Sequence, residues 1–431
     1  MPYNKGVRVW IFTILWASAL GAAADEQRLA LALKAQTDLD RVELAAVPQL
    51  RDAVACVQSQ ASLLPIAMRE ELPLIHYHKG YCALLGATIT HNSGEFRAAA
   101  EEFDKAVESW PARALVGARN GPQETVSSGL RMLAAIARME ASGDDAARER
   151  ARQEITFATE SPACFSSVMA PKFCEAVLAT GRQWLGWMAL GRDRLDEASR
   201  DFASAPESGW PAWVAGRKAF AGRAYRNAAG EYRRAIDTWT SARQETAPSF
   251  TARLSPPPDM AAALADLGGA QLLAGDAAAA IATLDAAIKL NQAAARAYYL
   301  RARAHELAGQ AEAALADYNM ASRNAFASAQ DLASGEAHLY RGMSLFRRKD
   351  YRRAEDEFAS ALNFEIPAAL RGDAVAWRHL AAVAGGSCRT SREYLEQSLA
   401  AVSPYFPKEE ARTLSAACAT TVAAGPVGAA K

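Results

Sequence analysis

AAALADLGGAQLLAGDAAAAIATLDAAIKLNQAAARAYYLRARAHELAGQAEAALADYNMASR, residues 261–323, is the stretch whose reading decides the fold. It holds Leu267-Gly268, then Gly275-Asp276, Ala280, Leu284 and Ala287. Thirty-four residues on come Arg301-Ala302, Gly309, Ala314, Tyr318 and Ala321. A fixed step of this size marks a repeated supersecondary unit. Alanine is the best helix former, and apolar positions three and four apart line one helical face. Each copy therefore predicts two antiparallel helices joined by a tight turn. Gly268 and Ala302 leave room where the backbones approach, and Leu284 and Tyr318 fill the gap to the next unit. One hairpin cannot bury its apolar face alone, so neighbours must stack.

Working outward, Arg341-Gly342, Asp350-Tyr351, Ala354, Phe358 and Ala361 form a third copy, with Pro367 soon after. The six extra residues that precede it fall in 324–335, expected as an extended helix end and loop. Earlier copies are Gly94, Ala99, Phe103, Ala106 and Pro111; Leu185-Gly186, Ala198, Phe202 and Ala205; and Gly216, Ala228, Tyr232 and Ala235. Two junctions share a form, FDKAVESWPARALVG at 103–117 and FASAPESGWPAWVAG at 202–216. Each ends a helix and passes through Trp-Pro into the next, where proline suits a first turn. No strand-length alternating segment occurs, so the expected class is all-α.

This pattern resembles the tetratricopeptide repeat family over 77–111 and 180–367, most closely in 261–323. Most copies lack the family's tryptophan near the start of the first helix, and 112–178 is helical without a clean repeat. The resemblance implies a right-handed α-solenoid of stacked helix–turn–helix repeats that binds other proteins. In the family the first helix of each unit lines the concave face, which holds an extended peptide or a partner's helix. Carried onto this chain, that face takes Trp213, Arg217 and Phe220 from one unit, Arg296, Tyr299 and Arg303 from another, and Leu339, Met343 and Phe346 from a third. Aromatic residues and arginine dominate binding hot spots; the alternative is that these side chains pack between helices. The lysine and asparagine set with which some members grip a C-terminal carboxylate is missing. Uncapped arrays also expose apolar ends, which leaves self-association open.

The ends and breakers set the domain expectations. Residues 1–24 read as a signal peptide: Lys5 and Arg8, an apolar run over 9–20 shorter than a bilayer span, and Ala22-Ala23-Ala24 before Asp25. The mature chain shows no second run able to cross a bilayer, so a periplasmic or secreted location is expected, and with the repeats an exported bacterial member of the family. Residues 25–247 are expected as an N-terminal helical region with degenerate repeats. Leu29, Leu33, Leu39, Val42 and Leu50 should face inward there. Asn120-Gly121-Pro122 breaks the pattern within it. Pro248, Pro256, Pro257 and Pro258 make 248–259 a loop or hinge. Residues 260–402 hold the regular repeats and C-terminal helices, and 403–431 a terminal helix with a disordered tail from 419.

Six cysteines, Cys56, Cys82, Cys164, Cys174, Cys388 and Cys418, suit an oxidising compartment, and their clustering favours neighbours: Cys56 with Cys82, Cys164 with Cys174, Cys388 with Cys418. Buried free thiols are the alternative, and no Cys-x2-Cys pair suggests a metal. Forty-eight basic and 48 acidic residues give zero net charge, which argues against nucleic acid as a partner. No phosphate-cradling loop, Gly-x-Ser-x-Gly or His-Glu-x2-His occurs, so no cofactor and no enzyme activity are expected. His76 and His78 lie two apart, on different sides of a helix. His91, His305, His338 and His379 are scattered. Glu108, Glu160 and Glu207 each precede serine, as in a lytic transglycosylase acid, but stand at helix ends near proline. Two functions follow: a cell-envelope scaffold or adaptor binding a protein segment, or a small-ligand or glycan-binding module of envelope polysaccharide assembly or export, motivated by the tryptophans.

Overall fold

The computed structural model describes residues 22–44, 49–69, 71–109, 128–141, 144–160, 171–244, 250–328 and 334–423. Among these are twenty α-helices and no strand. The chain divides into two compact units, 1–214 with 237–257, and 215–236 with 258–431. In the first, α1 (Ala22–Leu44), α2 (Leu50–Leu63), α3 (Leu72–Thr90), α4 (Ser93–Glu108), α5 (Ser128–Ala141), α6 (Asp145–Glu160), α7 (Pro171–Gly191) and α8 (Leu195–Phe202) each pack on the helix before. The division then falls within α9 (Trp210–Ala221) and α10 (Tyr225–Gln244). After the one-turn α11 (Phe250–Arg253), the second unit continues as α12 (Met260–Leu273), α13 (Ala277–Leu290), α14 (Ala295–Leu307), α15 (Ala311–Ser328), α16 (Gly335–Arg347), α17 (Tyr351–Asn363), α18 (Ala368–Ala384), α19 (Cys388–Ser398) and α20 (Lys408–Ala423). Successive helices again pack on one another, and first helices also meet first helices. The fold is the all-α stack of helix–turn–helix pairs, an α-solenoid, that the repeats predict.

The small-against-large contacts are where the repeat spacing puts them. A Cβ on Gly216 would lie 2.5 Å from the Tyr232 ring, one on Gly268 2.6 Å from Leu284, one on Gly342 2.5 Å from Phe358, and one on Gly186 2.9 Å from Phe202. The four large side chains, and Tyr318 after Ala302, are fully buried. In α3/α4 the equivalent contact is Gly80 on Phe103 at 2.9 Å, a residue two turns before the position the sixteen-residue spacing selects. Seven hairpin turns share one backbone state. His91, Asp193, Arg223, Gly275, Gly309, Lys349 and Gly386 all have positive φ, between 53° and 97°. Glycine adopts that state freely, whereas the other residue types are strained in it. Asn92, Asp259, Asp276, Ser334 and Asp350 cap following helices with side-chain oxygens that accept backbone N–H bonds.

Several expectations shift. Leu39 and Val42 are buried, but Leu29, Leu33 and Leu50 are exposed; α1 packs chiefly on α2, so only part of its apolar stripe is covered. The stretch without a clean repeat supplies α5 and α6, an ordinary pair in the series. The proline segment contains α11 and is no bare loop: Leu254 is buried, and its carbonyl accepts from Trp184 Nε1 at 2.8 Å. Residues 215–236, expected with the N-terminal region, group with the second unit. Helix α20 runs to Ala423, past the start of the expected tail. Most of the signal segment, the break at 120–122, and Trp110-Pro111 lie outside the described residues.

Cys56 is joined to Cys82, between α2 and α3, with Cα atoms 5.9 Å apart. Cys388 is joined to Cys418, between α19 and α20, at 5.6 Å. Cys164 lies outside the described residues, and so does its expected pairing with Cys174. No described helix is long and apolar enough to cross a membrane.

Candidate functional site

First-helix positions in a stack of this kind form a continuous face, and the candidate residues test whether it is open. Leu339, Met343, Phe346 and Tyr299 are buried. Trp213, in the first unit, is buried 5.6 Å from Trp239, whose Nε1 donates to the Ser208 carbonyl at 2.7 Å. None of these five offers its side chain to solvent. The arginines and Phe220 differ. Arg296 keeps 51% of its side chain exposed and pairs with Asp266 of α12 at 2.5 Å. Arg217 and Phe220 on α9 are half-buried.

What covers the rest of this face in the second unit is the chain itself. Between α19 and α20, residues 399–407 form a strap laid across the first helices. On α18, a Cβ at Gly372 would strike the Ala401 carbonyl. Asp373, wholly buried, accepts from the Ser403 backbone N–H at 2.7 Å and from its hydroxyl at 2.6 Å. On α14, Arg303 Nε donates to the Tyr405 carbonyl at 3.1 Å, and the Tyr299 ring meets the Tyr405 ring edge-on at 6.4 Å. On α12, Gly269 leaves the space that the Tyr405 hydroxyl fills. On α9, Phe220 lies 6.2 Å from the same ring. Phe406 goes deeper, edge-on to Trp377 at 5.3 Å within the main core. Helix α20 then locks to α16 through Arg347, which holds Glu410 at 2.5 Å and also pairs with Glu306, itself the partner of Arg303.

The electrostatics follow from burial. Burial pushes the Asp373 carboxyl up, opposed by its bonds from Ser403 and by Arg303. It pushes the hydroxyls of Tyr299, Tyr340 and Tyr405 up as well. The Asp266 charge, outweighing burial, holds Arg296 more firmly protonated. The face thus offers a buried acceptor for N–H and O–H groups, an arginine donor for a main-chain carbonyl, and a slot between aromatic rings. Those are the means of holding an extended polypeptide. Of the residues that the sequence puts on this face, Tyr299, Arg303 and Phe220 meet the strap; Asp266, Gly269, Gly372, Asp373, Arg347 and the strap itself were not among them. The available signal was Ser403-Pro404-Tyr405-Phe406-Pro407, two aromatics between prolines where no helix can form.

Other candidates have plainer roles. His76 Nδ1 lies 2.7 Å from Glu102 Oε2, and His78 is buried, which lowers it to about 4. Glu108, Glu160 and Glu207 are exposed at helix ends rather than set in a cleft. Trp184, Trp210, Trp213, Trp239 and Trp377 are buried, and among the described tryptophans only Trp187, 37% exposed, offers a face to solvent. No cluster of metal-ligating side chains occurs among the described residues.

No protein-family model matches the sequence, and no curated protein matches it significantly. Solved structures with a similar chain path include YrrB, a TPR protein with an unusual peptide-binding site (13% identity, 43% of this chain and 85% of that one, TM-score 0.29). A tetratricopeptide repeat protein from Parabacteroides merdae matches at 13% identity over 74% of this chain and 99% of its own, with TM-score 0.37. Yeast Tom70 matches at 10% identity over 93% and 97%, with TM-score 0.36.

Proposed function

We propose that this chain is an exported scaffold or adaptor of the bacterial cell envelope that binds an extended segment of a partner protein on the first-helix face of its second unit. The observation that carries the reading is the strap: four first helices, α9, α12, α14 and α18, jointly hold an irregular segment by main-chain and side-chain contacts. A surface that holds one extended segment in this way has the chemistry to hold another. Export is supported by the N-terminal basic and apolar run, by Ala22-Ala23-Ala24, and by paired cysteines, which suit an oxidising compartment.

A photo-crosslinking residue at position 296, on the exposed rim, tests the binding reading in cells. One discrete envelope protein should be captured, and capture should drop when Gly269→Val fills the aromatic slot. A diffuse smear, or capture that Gly269→Val leaves unchanged, would count against it. N-terminal sequencing of the mature protein should begin at Asp25; an intact Met1 start in the envelope fraction would overturn the cleavage.

A further inference from the structure

Resting on that reading, we infer that residues 401–405 are an internal ligand of the face, and that the partner carries a segment of like chemistry, a hydroxyl residue two positions before a tyrosine, which must displace them. The connection between α19 and α20 does not by itself need this path. The two helices pack together and are tied by Cys388–Cys418, and helix connections commonly take about 2–8 residues hugging the ends they join. Here the strap reaches α14 and α12, far back along the stack, to seat Tyr405 on Gly269. The seat leaves room for it at two glycines, Gly269 and Gly372, where an added Cβ would collide with the strap.

Every polar hold in that stretch is one an incoming chain can duplicate. Asp373 takes the N–H and O–H of Ser403, and Arg303 takes a main-chain carbonyl. By contrast Phe406 belongs to the core and Glu410 is clamped by Arg347, so they form the fixed end on which the stretch before them swings. Tethered on both sides, by α19 and by α20 with its disulfide, the strap sits at high effective concentration and outcompetes a free segment of equal intrinsic affinity. The face is therefore closed by default, and a partner's apparent affinity is its intrinsic affinity scaled down by the fraction of chains in which the strap is lifted.

The probe is a fluorescent peptide of sequence AAVSPYFP, residues 400–407, against a scrambled control, read by anisotropy. The double variant Ser403→Ala, Tyr405→Ala weakens the strap's own grip, losing the Ser403 hydroxyl bond and the Tyr405 ring, and should bind the peptide at least about tenfold tighter than the native chain; adding Gly269→Val should abolish the gain. Equal binding by native and double-variant chains, or no binding by a double variant with native helix content, overturns the inference. Should the double variant fail to fold, hydrogen exchange on the native chain decides. Saturating peptide should speed exchange of the amides of Ala401, Val402, Ser403 and Tyr405 while α18 stays protected, and unchanged protection of those four overturns the inference. The two readings fail differently. If the opened chain binds peptide but position 296 captures no envelope protein, the adaptor reading falls and the internal ligand stands. If native and opened chains capture the same protein equally, the reverse holds.

Discussion

In α3/α4 of the first unit, a buried carboxylate is shared among three cationic or ionisable partners, Glu102 with His76, Lys79 and Lys105. In α14/α15 and α16/α17 of the second unit, the equivalent acids Asp317 and Glu357 each pair with an arginine sixteen residues earlier, Arg301 and Arg341. The geometry is common to both: a cation precedes the small residue, and an acid precedes the aromatic that the small residue admits. Lys79-Gly80 faces Glu102-Phe103 in the same way. What differs is the register. Where the small residue stands sixteen before the aromatic, ring packing fixes the hairpin beside an ion pair to a single arginine, with the acid buried at Asp317 and half-buried at Glu357. Where it stands twenty-three before, a buried polar cluster helps set the alignment. Hydrophobic packing dominates one region, and a charge network shares the task in the other.

The strongest challenge to this contrast is to remove the ring. Phe358 is fully buried between Gly342 and Trp377. Phe358→Ala should destabilise the second unit by about 3–5 kcal/mol, read by urea unfolding with a probe confined to that unit. A loss below about 1 kcal/mol would mean that the ion pair, not the ring, holds α16/α17.

Next in size is the charge network. Burial alone would raise Glu102, but hydrogen bonds from Lys105, His76 and Lys79 outweigh it and hold the carboxylate at about 2. Glu102→Gln should cost about 2–4 kcal/mol, since the cations stay behind. The sign with pH follows. Glu102 titrates lower when folded, so its contribution is complete above 4.5 and is lost as pH falls from 4.5 towards 2. His78 is held neutral, lowered from 6.5 to about 4, so acidification from 6.5 to 4 also favours the unfolded chain, which binds the proton first. Asp373 in the second unit is raised, and acid relieves its burial instead. Hydrogen exchange across this range should show α3/α4 loosening before α18. Glu102→Gln should remove the lower part of the loss and leave the upper part. Simultaneous loosening of both regions would sink the contrast.

How much of this was legible beforehand tracks the same division. The pairs at Gly216, Gly268, Ala302 and Gly342 could be read from residue spacing, because helix period and repeat length alone put small against large. Gly80 escaped, since it lies two turns before the position that the repeat spacing selects opposite Phe103. The acid before each aromatic (Asp317, Glu357, Glu102) was visible in the sequence but drew no notice, because an exposed-looking carboxylate on a helix usually means solvent. The strap could not be deduced. Tyr405 meets Gly269 across more than a hundred residues of sequence, and no local period records such a contact. Tyr299, Leu339 and Met343 have the residue types of a hot spot, yet types do not distinguish a side chain on a face from one beneath it.

A subtler test uses the close approaches. Gly342→Ala would press a methyl to 2.5 Å of the Phe358 ring, whereas Gly80→Ala meets Phe103 at 2.9 Å. Overpacking typically costs about 1–3 kcal/mol. Gly342→Ala should fall in that range and exceed Gly80→Ala in paired thermal melts. Equal losses would show that the α3/α4 ring is no freer to shift than its counterpart.

The smallest effect concerns the turns, where the two regions ought not to differ at all. Lys349 in the second unit and Asp193 in the first occupy the left-handed state, at 64° and 57°, that Gly275 and Gly309 occupy without strain. A non-glycine residue there is strained by roughly 1–2 kcal/mol, while glycine loosens the unfolded chain by about 0.4–1 kcal/mol. Lys349→Gly and Asp193→Gly should each therefore stabilise by up to about 1 kcal/mol. Gly275→Ala should destabilise by a similar amount. Because the backbone state of the turn is shared while the packing beneath it is not, matched gains at 349 and 193 would confine the contrast to the helix interfaces. A gain at 349 alone would extend the difference between the two units to their turns.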